Sequence, residues 1–135
     1  MAFAEPPGWY VISLRPRGEH APMRRAAARQ GARLLALSPW RLALHDDPAT
    51  RRALGLALAA SRVLFTSPAA VRAAAALQVL RSSPRQSLVA VGAGTAQALR
   101  QAGVDALESP SRMDSEGVLG LPCLQSVEGM EVGLV

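Results

Sequence analysis

Two short stretches place small and hydroxylic residues where a strand would hand over to a helix. Thr66-Ser67-Pro68 follows the apolar run Val63–Phe65, and Gly92-Ala93-Gly94-Thr95 follows Leu88–Val91. Amides at the start of a helix, with glycine allowing close backbone approach, suit an anionic ligand. The same residues also have plain structural uses. Ser67 fits a helix N-cap with Pro68 at the first helical position, and Thr95 fits the cap after a tight turn. Asp114-Ser115-Glu116 reads as a further helix start, with a ligand role open beside the capping one. Ser13 and Arg15 close the apolar run that begins at Trp9.

Several chemistries are excluded or disfavoured. A dinucleotide fingerprint needs a third glycine where Gln97 stands. A phosphate-loop lysine is impossible, because all 15 basic residues are arginine. His20 and His45 are the only histidines and neither lies at a predicted strand end, which disfavours a Ser/His/Asp triad. With a single cysteine, Cys123, the histidine shortage also argues against a metal site, so none is assigned. Asp46-Asp47 precedes Pro48 and reads as a helix start rather than an acid/base pair.

The elements that must position these groups alternate. Strands are predicted over Trp9–Leu14, Arg33–Leu37, Val63–Thr66 and Leu88–Val91, a weak one over Ala106–Glu108, and a last one begins at Val132. Helices are predicted from Glu19 to Gln30, from the Asp46-Asp47-Pro48 signal to about Ala60, from Ala69 to about Leu80 and from Thr95 to Gln101. A further helix opens at Asp114 and runs to about Gln125, with Pro122 bending or ending it. Gly31 and Gly103 fit helix C-termini. Met1–Gly8, with two prolines, reads as a loose leader, and Trp40–Leu44 as an extended segment. The alternation predicts an α/β fold, an open parallel sheet flanked by helices. Ligands of such sheets bind beyond the C-terminal strand ends, here near Ser13–Arg15, Thr66-Ser67, Gly92–Thr95 and Ser109–Glu116.

At 135 residues, half of them hydrophobic, the chain is long enough for a core. The net charge of +5 allows attraction to a polyanion, but on charge alone arginines on solvated helix faces are the better reading. A nucleic-acid binder would want stacking aromatics, and these are scarce at 4%. One cysteine, no signal-peptide pattern and no apolar run of membrane-spanning length predict a cytoplasmic protein without a membrane partner.

The motifs taken in order resemble one family. They are Ser13-Leu14-Arg15-Pro16, Gly31-Ala32, Phe65-Thr66-Ser67-Pro68-Ala69-Ala70-Val71, Val91-Gly92-Ala93-Gly94-Thr95-Ala96-Gln97-Ala98-Leu99 and Asp114-Ser115-Glu116-Gly117-Val118-Leu119. Together they are similar to the uroporphyrinogen-III synthases. Ala69 stands where some relatives have arginine, and Leu14 separates hydroxyl from arginine in the first motif. The resemblance implies two α/β domains with the site in the cleft between them. Residues 1–37 would be a segment of a discontinuous first domain, and 38–135 a second domain incomplete at its C-terminal end. The implied chemistry is the dehydrating cyclisation of hydroxymethylbilane, a polycarboxylate tetrapyrrole, with inversion of ring D and no cofactor. The implied substrate-binding residues are Ser13, Arg15, Thr66, Ser67, Gly92, Thr95 and Ser115; no catalytic residue is assigned. The resemblance also implies a monomeric full enzyme. This chain would be its N-terminal part, inactive alone and prone to self-association. The alternative is a non-catalytic α/β anion-binding or regulatory module.

Overall fold

The computed structural model describes residues 8–108, 112 and 114–135. The leader reading of Met1–Pro7 and the strand-end position Ser109 lie outside these residues. The fold divides into two compact units, Met1–Leu44 and His45–Val135.

The first unit is a strand–helix–strand motif. β1 (Tyr10–Leu14) and β2 (Arg33–Leu37) pair in parallel, with Ile12 opposite Leu35 and Ser13 opposite Ala36. α1 (Ala21–Arg29) connects them. It ends as the sequence predicts: Gly31 takes φ +70, its N–H bonds the Ala28 carbonyl, and the Ala32 N–H bonds that of Ala27. This pair of bonds is the Schellman arrangement, which requires a left-handed residue and so favours glycine. Tyr10, Ile12, Leu14, Leu35 and Leu37 stay exposed within the unit, while Ser13, His20, Ala27 and Ala32 are buried. Trp40–Leu44 joins no strand.

The second unit carries α2 (Pro48–Ala59), β3 (Arg62–Phe65), α3 (Pro68–Leu77), β4 (Ser87–Ala90) and α4 (Ala93–Gln101). It continues with β5 (Leu107–Glu108), α5 (Ser115–Leu119), a 3-10 turn over Pro122–Leu124 and β6 (Val132–Leu134). The four strands form a parallel sheet in the order β5-β4-β3-β6. Side chains alternate along β3 and β4. Val63, Phe65, Leu88 and Ala90 pack with Val71 of α3, Leu99 of α4 and Leu54 and Leu58 of α2. On the other face, Val89 and Leu64 pack with Val118 and Leu121. Helices therefore cover both faces, as a parallel sheet requires. Cys123 is half-buried against this second cluster.

α1 starts at Ala21 rather than Glu19, and two other predicted helices end well short of their expected C-termini. α3 stops at Leu77 instead of Leu80: Gln78 is extended, Val79 points outward, and Leu80 enters the core. Burial of one leucine thus outweighs continued helix propensity. α5 stops at Leu119 instead of about Gln125, and Pro122 opens the 3-10 turn. Proline lacks the N–H, and its ring would crowd the carbonyl one turn back.

Candidate functional site

The chain crosses the second unit's sheet from β3 to β4 to β5, then returns to place β6 on the far side of β3. The direction of winding reverses between β3 and β6, and in open α/β sheets such a reversal leaves a crevice at the C-terminal strand ends. Thr66 stands there. Its N–H and its Oγ1 both donate to the Val135 carbonyl, each at 3.0 Å, while the Val135 N–H bonds the Leu64 carbonyl at 2.9 Å. The exposed Thr66 side chain therefore ties the β3 and β6 ends together.

Ser67 behaves as the sequence predicts. It is extended, its Oγ accepts from the Ala70 N–H at 3.1 Å, and Pro68 follows as the first helical residue. Proline brings no N–H, so the start of α3 has few amides to offer a ligand.

The start of α4 differs from the expectation. Thr95 is not the cap. Gly92 is, at φ +89 and ψ 155, and the helix begins at Ala93. Thr95 lies a turn inside, 1% exposed, and its Oγ1 donates to the Val91 carbonyl at 3.0 Å. The reason is conformational: Gly92 occupies a backbone region essentially closed to other residues, so the chain turns there and needs no side-chain cap. The first intrahelical acceptor, Gly92 O, receives the Ala96 N–H at 3.2 Å, so the amides of Ala93, Gly94 and Thr95 precede the helix ladder. No side chain caps them. A β-carbon on Gly94 would lie 3.5 Å from Pro68 Cγ, which puts the starts of α3 and α4 side by side. The α4 start, at the C-terminal end of β4 and beside the capped start of α3, carries the partial positive charge that suits a carboxylate or phosphate.

The remaining predicted positions are spread over the molecule. Ser115 is exposed at the first turn of α5, behind Asp114, whose Oδ1 accepts from the Gly117 N–H at 2.9 Å and whose Oδ2 pairs with Arg112. In the first unit Arg15 is exposed after β1, and its N–H bonds the Leu37 carbonyl at 3.3 Å. Ser13 is 3% exposed and points to a histidine rather than to solvent. That histidine, His20, lies away from the strand ends in the sequence and is brought to them by the fold. Its Nδ1 is 2.9 Å from Ser13 Oγ and its Nε2 2.7 Å from Ser38 Oγ, so the ring bridges the ends of β1 and β2. The available signal was a serine at the close of each of the two apolar runs.

Asp46 and Asp47 hold helix-start roles. Asp47 caps α2, and the Thr50 N–H and hydroxyl hold its carboxyl below the usual carboxylate range. The Asp46 carboxyl is lowered by its bond to Arg51. Among the described residues no three His, Cys, Asp or Glu side chains converge to hold a metal ion, and no helix is long and apolar enough to cross a membrane. An open depression of about 370 Å³ lies at the opposite sheet end, bounded by Ser83, Gln86, Ser87 and Asp105. There Gln86 Nε2 already donates to the Leu58 and Ala60 carbonyls, which gives that edge a structural use.

A comparison with curated proteins returned no match. A comparison with protein families matched residues 21–134 to the family described as Uroporphyrinogen-III synthase HemD. The match takes in α1 and β2 of the first unit, both helix starts and the four-stranded sheet, and the chain belongs to the uroporphyrinogen-III synthase HemD family.

Proposed function

We propose that the chain contributes to the uroporphyrinogen-III synthase reaction, the dehydrating cyclisation of hydroxymethylbilane with inversion of ring D. The α4 start would hold a substrate carboxylate. The observation that carries this reading is the family match over residues 21–134, with the uncapped amides after Gly92 at a strand end. Hydroxymethylbilane bears eight carboxylates, and binding through helix-start amides needs neither lysine nor metal. Residues 1–37 and 38–135 would belong to a discontinuous first domain and a second domain, in the cytoplasm. In this reading the protein acts by holding the tetrapyrrole in the conformation that closes through the substituted carbon of ring D.

A second reading, a non-catalytic anion-binding module, is favoured by one observation. The Thr66 and Thr95 hydroxyls are both donated to backbone carbonyls and are committed to structure. Coupled synthesis from hydroxymethylbilane, followed by separation of isomers, tests the two. We expect the type III isomer from a longer polypeptide containing this sequence, and only the spontaneous type I background from residues 1–135. Type III product from neither, with tetrapyrrole binding retained, would leave the binding module.

A further inference from the structure

The tetrapyrrole reading makes no use of the bridge formed by His20. His20 is 9% exposed and Ser13 3% exposed, while Ser38 is open to solvent just beyond β2. All three belong to the first unit. A neutral imidazole has one N–H and one lone pair. With Nδ1–H donated to Ser13 Oγ, the Nε2 lone pair faces the Ser38 hydroxyl at 2.7 Å. An exposed hydroxyl, a base within hydrogen-bond reach and a third group fixing the base are the components of an activated nucleophile. Here the third group is a buried hydroxyl in place of a carboxylate.

We propose that Ser38 is a nucleophile, His20 its general base and Ser13 a positioning residue, and that the site accepts an acyl group from an activated ester. Ser38 Oγ bonds to the acyl carbon as its proton passes to His20 Nε2. The bond from that carbon to the leaving oxygen breaks with its electron pair, and the imidazolium returns the proton to that oxygen. The products are O-acyl Ser38 and a free alcohol or phenol, with nothing oxidised or reduced. A phenolic leaving group departs readily, so a nucleophile and a base suffice. The inference does not depend on the tetrapyrrole reading.

The test is reaction of the chain with p-nitrophenyl acetate, following phenolate release and locating the acetyl group by peptide mapping. One rapid equivalent of phenolate and acetyl on Ser38 are expected. Exposed Ser82 and Ser83 provide the internal comparison. Ser38→Ala should abolish the rapid phase. His20→Gln should slow it by about 100-fold or more, the usual contribution of a positioned base. Ser13→Ala should slow it, and Ser13→Thr should restore it, because the hydroxyl and not the bulk fixes the ring. Acetyl spread evenly over Ser38, Ser82 and Ser83 would overturn the assignment, as would acetyl resting on His20 or a folded His20→Gln chain that reacts at the parent rate. Should His20→Gln fail to fold, mapping in the parent and the surface change Ser38→Ala decide the matter alone.

Discussion

The two strand-to-helix junctions of the second unit solve one problem in two ways. After β3, a side chain caps the helix and proline fixes its first turn: Ser67 Oγ takes the Ala70 N–H, and Pro68 removes a donor. After β4, a glycine at φ +89 turns the chain, leaving the first amides of α4 without a side-chain cap. The first junction is finished within itself. The second leaves its first amides outside any side-chain cap, and its threonine is turned inward to hold the Val91 carbonyl. A hydroxyl at a strand end is therefore weak grounds for a ligand contact, while a glycine cap is better grounds.

The same substitution made at both junctions gives the sharpest contrast. Thr95→Asp places a charge at a position 1% exposed, and an uncompensated buried charge costs about 3–5 kcal/mol. Chemical denaturation should show that loss; a Thr95→Asp chain as stable as the parent would mean that the site opens to water. Gly92→Ala forces a β-carbon into a conformation of positive φ. The cost should be about 1–3 kcal/mol, read as a fall in the unfolding midpoint. Nothing lies within 4 Å of that added carbon, so conformation and not crowding carries the effect.

At the other junction the effects shrink. Ser67→Ala should cost about 0.5–2 kcal/mol. Ser67→Asp keeps a good cap and should stay within about 0.5 kcal/mol of the parent, since aspartate and serine rank together as caps. Its charge lies beside α4's start and should weaken binding of a polycarboxylate tetrapyrrole, measured by fluorescence titration. Unchanged affinity would place the ligand away from both junctions. The smallest effect is at the Asp47 cap. Its carboxyl is lowered by the Thr50 N–H and hydroxyl. Its contribution is thus present above the unfolded carboxylate pKa of about 3.9 and is lost as pH falls through the folded value. Asp47→Asn should flatten that part of the acid-denaturation curve.

Much of this was legible because it is local. Asp47-Pro48 and Ser67-Pro68 carry their caps within four residues, and Gly31 and Gly103 end their helices by a requirement of their own backbone. The short apolar runs over Val63–Thr66 and Leu88–Val91 located the central strands for the same reason. What escaped depends on distant partners. The end of α3 is set by burial of Leu80 among residues of other elements. The Thr95 cap failed because two glycines precede it and only the fold shows which one turns. The role of His20 rests on bonds spanning 7 and 18 residues, which no periodicity registers.

Gly133 of β6 has a consequence for how the molecule breathes. A methyl group there would overlap the Ala57 carbonyl, so α2 lies directly on the backbone of β6. Two residues later Val135 receives both the N–H and the hydroxyl of Thr66. Helix, strand and junction are thus joined in series with little slack. Deuterium exchange should find the Thr66 and Val135 amides opening as one event, and loosening α2 should speed both together, long before the interior amides of β4 respond.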